Sequence, residues 1–250
     1  MNNKKFSQDG DLIIVDIGTH EGQEVSSIIN SKFFLKKITR RIARDLIKET
    51  KSINLKKINY FIKLIKYHFR IKRKFKRIVL ILVEPNFFLF CNPIYKQASL
   101  VVPFAIDDRN NTSKNLIKLY IANGDSLSEG NSIYASKGNV DNNNFLSVFS
   151  LTSKNLIDII KVQYLKPSSK LILRINCEGS EDSIIYNFKN NFSNQLVCVL
   201  GSLKDVIDIK GVESYEKLIN FMNKNKIQNV PFGTDVMTWL KAHKLILSNL

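Results

Sequence analysis

Three short stretches carry residue types that could do chemistry together. Residues 15–22 read VDIGTHEG, residues 83–86 read VEPN, and residues 171–185 read LILRINCEGSEDSII. In the first, Asp16, Gly18 and Gly22 are spaced D-x-G-x-x-x-G, with Thr19 and His20 inside the turn. A dinucleotide site uses G-x-G-x-x-G, because backbone N–H groups must closely approach a pyrophosphate. One glycine fewer, and an acid at the strand end, suit a nucleoside ligand without phosphates. A carboxylate repels a pyrophosphate, but it pairs with an amino group or accepts hydrogen bonds from ribose. In the second stretch Glu84 closes a strand where an acid can accept from both ribose hydroxyls, and Asn86 follows it. In the third, Asn176, Glu178, Gly179 and Glu181 come just after an apolar run. Gly18 and Gly22 equally suit a plain, tight strand-to-helix turn.

These residues need a scaffold that brings strand ends together. The runs DLIIVDIG, RIVLILVEPN, KLILRIN and QLVCVLGS are short, apolar and β-branched, the pattern of buried parallel strands. Further strands are expected at ASLVVPFAI, NLIKLYIA and FLSVFSLT. Helices are expected at EGQEVSSIINSKFF, at SKNLIDIIKVQYL with Ser153 as its N-cap, at SEDSIIYNFKNNF, at GVESYEKLINFMNKN and at DVMTWLKAHKLILSNL. This alternation predicts one α/β domain over residues 1–250, Rossmann-like, with a mostly parallel central sheet and helices on both faces. Ligands of such sheets bind at the carboxyl ends of strands, so the three stretches can meet on one rim. Residues 123–144 read as a long loop, including Asp125, Ser126 and Ser132, which either covers an acceptor site or is plain surface.

The net charge of +16 is confined to one segment. Residues 32–77 hold 18 Lys or Arg and two acids, Asp45 and Glu49, and the rest of the chain is neutral. Apolar residues in this segment recur at helical spacing: Leu35, Ile38, Ile42, Leu46 and Ile47, then Leu55, Ile58, Phe61, Ile62, Ile65 and Phe69. Two amphipathic helices separated near Ser52–Asn54 are expected, as a basic hairpin inserted between the first helix and the second strand and separable from the domain. Its cationic face suits an anionic membrane surface, an anionic glycan or RNA, or is simply solvated. No run approaches the ~20 apolar residues of a membrane span. Cys91, Cys177 and Cys198 are scattered and odd in number, which argues against disulfides and a structural zinc. No signal pattern precedes the first strand, so a cytoplasmic protein is expected, with peripheral membrane attachment through the insert as an option.

The ordered set of motifs resembles the FkbM-type family of S-adenosylmethionine-dependent methyltransferases. Val15, Asp16, Ile17, Gly18 and Gly22 match its V-D-[VI]-G-x-x-x-G turn, and Glu84, Pro85 and Asn86 match its E-P-N element. Its I-D-x-E-G-x-E element is matched by residues 175–181, INCEGSE, with Asn176 where the family has Asp. VPFAID around Ala105 resembles the intervening strand, and GNSIY, residues 130–134, the small-residue loop that follows. The likeness spans about residues 11–205 apart from the insert. It implies a class I methyltransferase fold, S-adenosylmethionine as cofactor, and O-methylation of a sugar, glycan or other small hydroxylated acceptor. An RNA methyltransferase using the insert, and a silent binding protein of the same fold, are the alternatives.

The resemblance assigns cofactor contacts to Asp16, Gly18, Thr19, His20, Gly22, Glu84, Asn86, Ala105 and Asn176. Methyl transfer to a hydroxyl needs alignment and removal of a proton. Glu178 is the expected base or acceptor-orienting residue, with Asn176 beside it; capping the following helix or pairing with a Lys is the structural alternative for Glu178. Asn donates and accepts hydrogen bonds but is a poorer base or metal ligand than Asp. His20 is expected either at the methionine end of the cofactor, as a base, or in a purely structural role. Nothing in the sequence has the spacing of a metal site. Trp239 and the other aromatic residues fit core packing.

Overall fold

The computed structural model describes residues 10–48, 55–109, 116–123, 130–231 and 236–250. Its centre is a six-stranded sheet in which every pairing is parallel. The strands are β1 (Leu12–Ile17), β2 (Ile78–Val83), β3 (Leu100–Val102), β7 (Lys170–Ile175), β8 (Leu196–Leu200) and β9 (Gln228–Val230), in the spatial order β3-β2-β1-β7-β8-β9. β1 and β2 are buried at every position, as their unbroken apolar runs require.

Side-chain alternation along the strands sorts residues between two helical layers. Leu12 and Ile14 face the layer of α1 (Gln23–Ile29), α2 (Ser31–Lys48), α3 (Leu55–Arg73) and α8 (Val236–Ser248). Ile13, Val15 and Ile17 face α4 (Ser153–Gln163), α5 (Glu181–Phe192), α6 (Lys204–Lys210) and α7 (Val212–Lys224). The fold is therefore α/β and Rossmann-like, with helices on both faces.

Several expectations need correction. The single helix expected over EGQEVSSIINSKFF is two, because Asn30 leaves helical geometry (φ −97°, ψ 103°) and its Oδ1 accepts from the N–H groups of Lys32 and Phe33, starting α2. The N-cap of α4 is Thr152, whose Oγ1 accepts from the N–H of Asn155; Ser153 is the buried first residue of the helix. ASLVVPFAI is split at Pro103, which has no N–H to continue a ladder. After it β4 (Ala105–Ile106) joins a separate three-stranded sheet, β4-β6-β5. In that sheet β5 (Leu116–Ala122) runs antiparallel to β6 (Val140–Leu151), so β6 occupies the last residues of the loop expected over 123–144. Asp125 and Ser126 lie outside the described residues, as does the break expected near Ser52–Asn54. Helix α6 and strand β9 were not expected from the pattern.

The basic segment is not a separable hairpin. α3 packs chiefly along α8, and Phe61, Leu64 and Ile71 join the same core cluster as the sheet. His68 is buried on this face too, its ring stacked on Phe34 of α2 at 3.9 Å between centroids. Of the apolar residues at helical spacing in this segment, Leu35, Ile58, Ile62 and Phe69 are exposed. Trp239 is buried in the core, as expected, while Cys91 is exposed. No helix among the described residues is long and apolar enough to cross a membrane.

Candidate active site

Ile17 of β1 is in register with Val83 of β2 and with Ile175 of β7. The next residues of the three strands, Gly18, Glu84 and Asn176, therefore emerge side by side at the carboxyl edge. There they line one cleft, together with His20, Ala105, Glu178 and the loop residues Gly130, Asn131 and Ile133. The space it encloses, counting the part open to solvent, is about 890 Å³. Gly18 is at φ +74°, and a Cβ there would sit 2.1 Å from the carbonyl oxygen of Asn176. Only glycine lets the β1 turn cross so close to the tip of β7.

Asp16, Thr19, Gly22 and Asn86 do not line this cleft; they hold its wall from behind. Asp16 is fully buried, and its Oδ1 accepts from Arg174 Nη1 at 3.0 Å. The two residues are register partners on β1 and β7. The same Nη1 donates to the carbonyl of Gly18 at 2.5 Å, and Nη2 lies 3.1 Å from Glu24 of α1. Burial pushes the Asp16 carboxyl up to about 6, and Arg174 opposes that rise, so Asp16 is mainly ionised at neutral pH. The amino or ribose partner expected for Asp16 is thus replaced by a guanidinium. Thr19 Oγ1 donates to the Asp16 carbonyl at 2.9 Å. Gly22, at φ 67°, caps α1 against Ile94. Asn86 Oδ1 accepts from the N–H of Phe88 and starts the turn Phe87–Cys91.

Glu84 is buried at the cleft wall. Its Oε2 accepts from the His20 N–H at 2.8 Å and its Oε1 from the Asn86 N–H at 2.9 Å. Burial raises its pKa, and the two N–H groups oppose the rise. Each carboxylate oxygen has about two acceptor directions, so one per oxygen remains for a ligand.

Glu178 pairs with Lys137, the structural alternative foreseen for it. Lys137 Nζ also donates to the Gly130 carbonyl at 3.1 Å and lies 3.8 Å from Asp205. Burial raises the Glu178 pKa, and Lys137 acts against that. Capping of the loop falls instead to Glu181, the first residue of α5. Its Oε1 accepts from the Cys177 N–H at 2.9 Å and its Oε2 from the Gly179 N–H at 2.8 Å; burial brings its pKa up to about 7.

His20 and Glu178, both on the cleft wall, are non-glycine residues at positive φ (52° and 54°). Such a conformation costs on the order of 1–2 kcal/mol, and its neighbours must over-determine it. The His20 carbonyl accepts from Tyr95 Oη at 2.5 Å, and the Glu178 carbonyl from Ser132 Oγ at 2.8 Å. Ser132 belongs to the GNSIY stretch, which docks the small sheet onto this loop.

Arg174 and Lys137 were missed in the sequence. Arg174 had a signal, one cation inside the apolar run KLILRIN, and Lys137 had none. No group of three or more His, Cys, Asp or Glu positioned to hold a metal occurs among the described residues. Comparison with protein-family models, curated proteins and solved structures finds no match for the chain.

Proposed function

We propose that the protein is an S-adenosylmethionine-dependent methyltransferase that acts on a hydroxyl of a sugar, glycan or other small acceptor. The observation that carries the reading is the convergence of the three strand tips on a cleft with an acidic wall. Glu24, Glu84 and Glu178 line it, and Arg174, already engaged by Asp16, Glu24 and Gly18, is the strong cation among its lining residues. Such a wall disfavours a pyrophosphate and favours a ligand bearing a sulfonium and an ammonium. The residues present fit the cofactor: Glu84 has acceptor capacity for two ribose hydroxyls, and the Gly18 turn lines the cleft beside it.

When bound, the cofactor supplies an electrophilic methyl group for in-line displacement. The chain's own residues supply the rest. Asn176, at the tip of β7, offers both a donor and an acceptor to orient the acceptor hydroxyl. Glu178 takes that hydroxyl's proton as the oxygen–methyl bond forms, and Lys137 opposes the rise that burial gives its pKa. His20, in the turn after the neighbouring strand β1, is the other proton acceptor on the cleft wall.

Calorimetry with S-adenosylmethionine tests this. The wild type should bind it and not NAD. Glu84→Ala should lose one or two hydrogen bonds to a charged acceptor, on the order of 1.5–3 kcal/mol each. Equal affinity in wild type and variant would remove Glu84 from the site. Binding with no transfer to any glycan, lipid or RNA acceptor would instead mark a silent binding protein.

A further inference from the structure

Among the described residues, the apolar arc of helix α3 is covered on one side and exposed on the other. Phe61, Leu64, His68 and Ile71 are buried against α8 and the sheet. Ile58, Ile62 and Phe69, spaced four and seven residues apart, are 39%, 45% and 41% exposed. At 3.6 residues per turn, the centres of the two groups lie about 120° apart around the helix. Ile65, partly buried against the core, lies between the two groups, so the exposed residues form the outer edge of one broad apolar arc. Exposed Lys63, Lys66, Arg70 and Arg73 occupy the next part of the circumference. The helix LKKINYFIKLIKYHFRIKR contains seven Lys or Arg and no acid.

We infer that this face of α3 docks on an anionic lipid bilayer. Apolar residues beside a cationic stripe on a helix lying flat are what such a surface selects. The aliphatic and aromatic side chains enter the boundary between headgroups and acyl chains, and the Lys and Arg stems reach the phosphates. Charge complementarity excludes a second copy, since two such faces repel each other. RNA is the poorer fit: it would use the cations, but bases stack on aromatic rings, and Ile58 and Ile62 offer a nucleic acid nothing. The inference is independent of what the cleft binds.

The test uses the full chain with vesicles of phosphatidylcholine alone and of phosphatidylcholine with phosphatidylserine. The wild type should sediment with the anionic vesicles only, and less at high salt. Replacing Ile58, Ile62 and Phe69 together by Ser should reduce partitioning at least about tenfold, through lost apolar burial. Replacing Lys63, Lys66 and Arg70 by Gln should reduce it roughly 100-fold. These positions are exposed, and unchanged thermal melts verify the fold of each variant. Phe69→Trp gives a second readout: its emission should shift to the blue on anionic vesicles, whereas Trp239 is already buried. Wild-type partitioning in the Ser variant, or unshifted emission from vesicle-bound Phe69→Trp, would overturn the inference. So would failure of the wild type to sediment with either vesicle, whatever RNA oligonucleotide or acidic protein it retains.

Discussion

The cleft rim and the layer of α3 and α8 both bury ionisable groups, and burial acts on them in opposite directions on the pH scale. At the rim it pushes Asp16 up to about 6 and Glu181 up to about 7. In the helical layer it pushes His68 down to about 3 and His243 down to about 4. The physics is the same, since a low-dielectric site penalises whichever form is charged. What differs is the company. Asp16 has Arg174, and Glu84 and Glu181 each hold two backbone N–H groups. His68 and His243 each have one ring nitrogen at a neutral partner, Ser31 Oγ and the Trp239 carbonyl, and the other, like Asp16 Oδ2, buried with no hydrogen-bond partner among the described residues. Charge is retained at Asp16, behind the cleft wall, and excluded at the buried histidines of the helical layer.

The largest effect expected from disturbing this contrast comes from Arg174→Met. It leaves Asp16 buried and unpaired, and removing one partner of a buried pair costs about 3–5 kcal/mol. Denaturant unfolding measures the loss, and adding Asp16→Asn should recover a large part of it. A loss under about 1 kcal/mol would mean that the rim does not depend on the pair.

The pH dependence sharpens the contrast further. The histidine values are depressed in the folded chain relative to the ordinary 6.5. Their contribution is therefore fully present above pH 6.5 and lost as pH falls, by at most about 1.4 kcal/mol per pH unit for each ring. Asp16 and Glu181 are raised, so their folded forms bind protons more tightly. The stability they confer is present at low pH and lost as pH rises through about 6 and about 7. Between pH 4 and 7 the two regions oppose each other. Glu181→Gln should make the loss of stability on acidification steeper, and His243→Leu should make it shallower, in denaturant unfolding across that range. The reverse ordering would show that the two regions do not act as described.

The smallest effect expected is that of Thr19→Val, which removes one buried hydrogen bond to the Asp16 carbonyl. It should cost about 1 kcal/mol, far below the effect of Arg174→Met. Equal losses in the two variants would mean that turn hydrogen bonds, and not the ion pair, hold the rim.

Much of the site was legible before any coordinates. Gly18, His20, Glu84, Ala105, Asn176 and Glu178 were chosen from their places after apolar runs, and all six line one cleft. That succeeded because a continuous apolar run has one stable home, a buried parallel strand, and parallel strands end on a common edge. Asp16 was misplaced because nothing local distinguishes an acid aimed at a ligand from one aimed at a buried cation. Its partner Arg174 is 158 positions away along the chain. Lys137 was invisible for the same reason, lying in a loop whose approach to Glu178 depends on how the small sheet docks.

The sequence by itself determined that apolar strands alternate with helices, the glycine at the β1 turn and the concentration of positive charge in residues 32–77. These follow from local steric limits, periodicity and composition, which need no partner to be read. The tertiary structure alone decided that Pro103 divides one expected strand between two sheets, and that Lys137 engages Glu178. It also decided that α3 turns Phe61 and Leu64 inward while leaving Ile62 and Phe69 outside. An apolar stripe states only that a face must be covered. Which part of a broad apolar face is covered depends on where α8 lies, and α8 begins more than 160 residues after α3 ends.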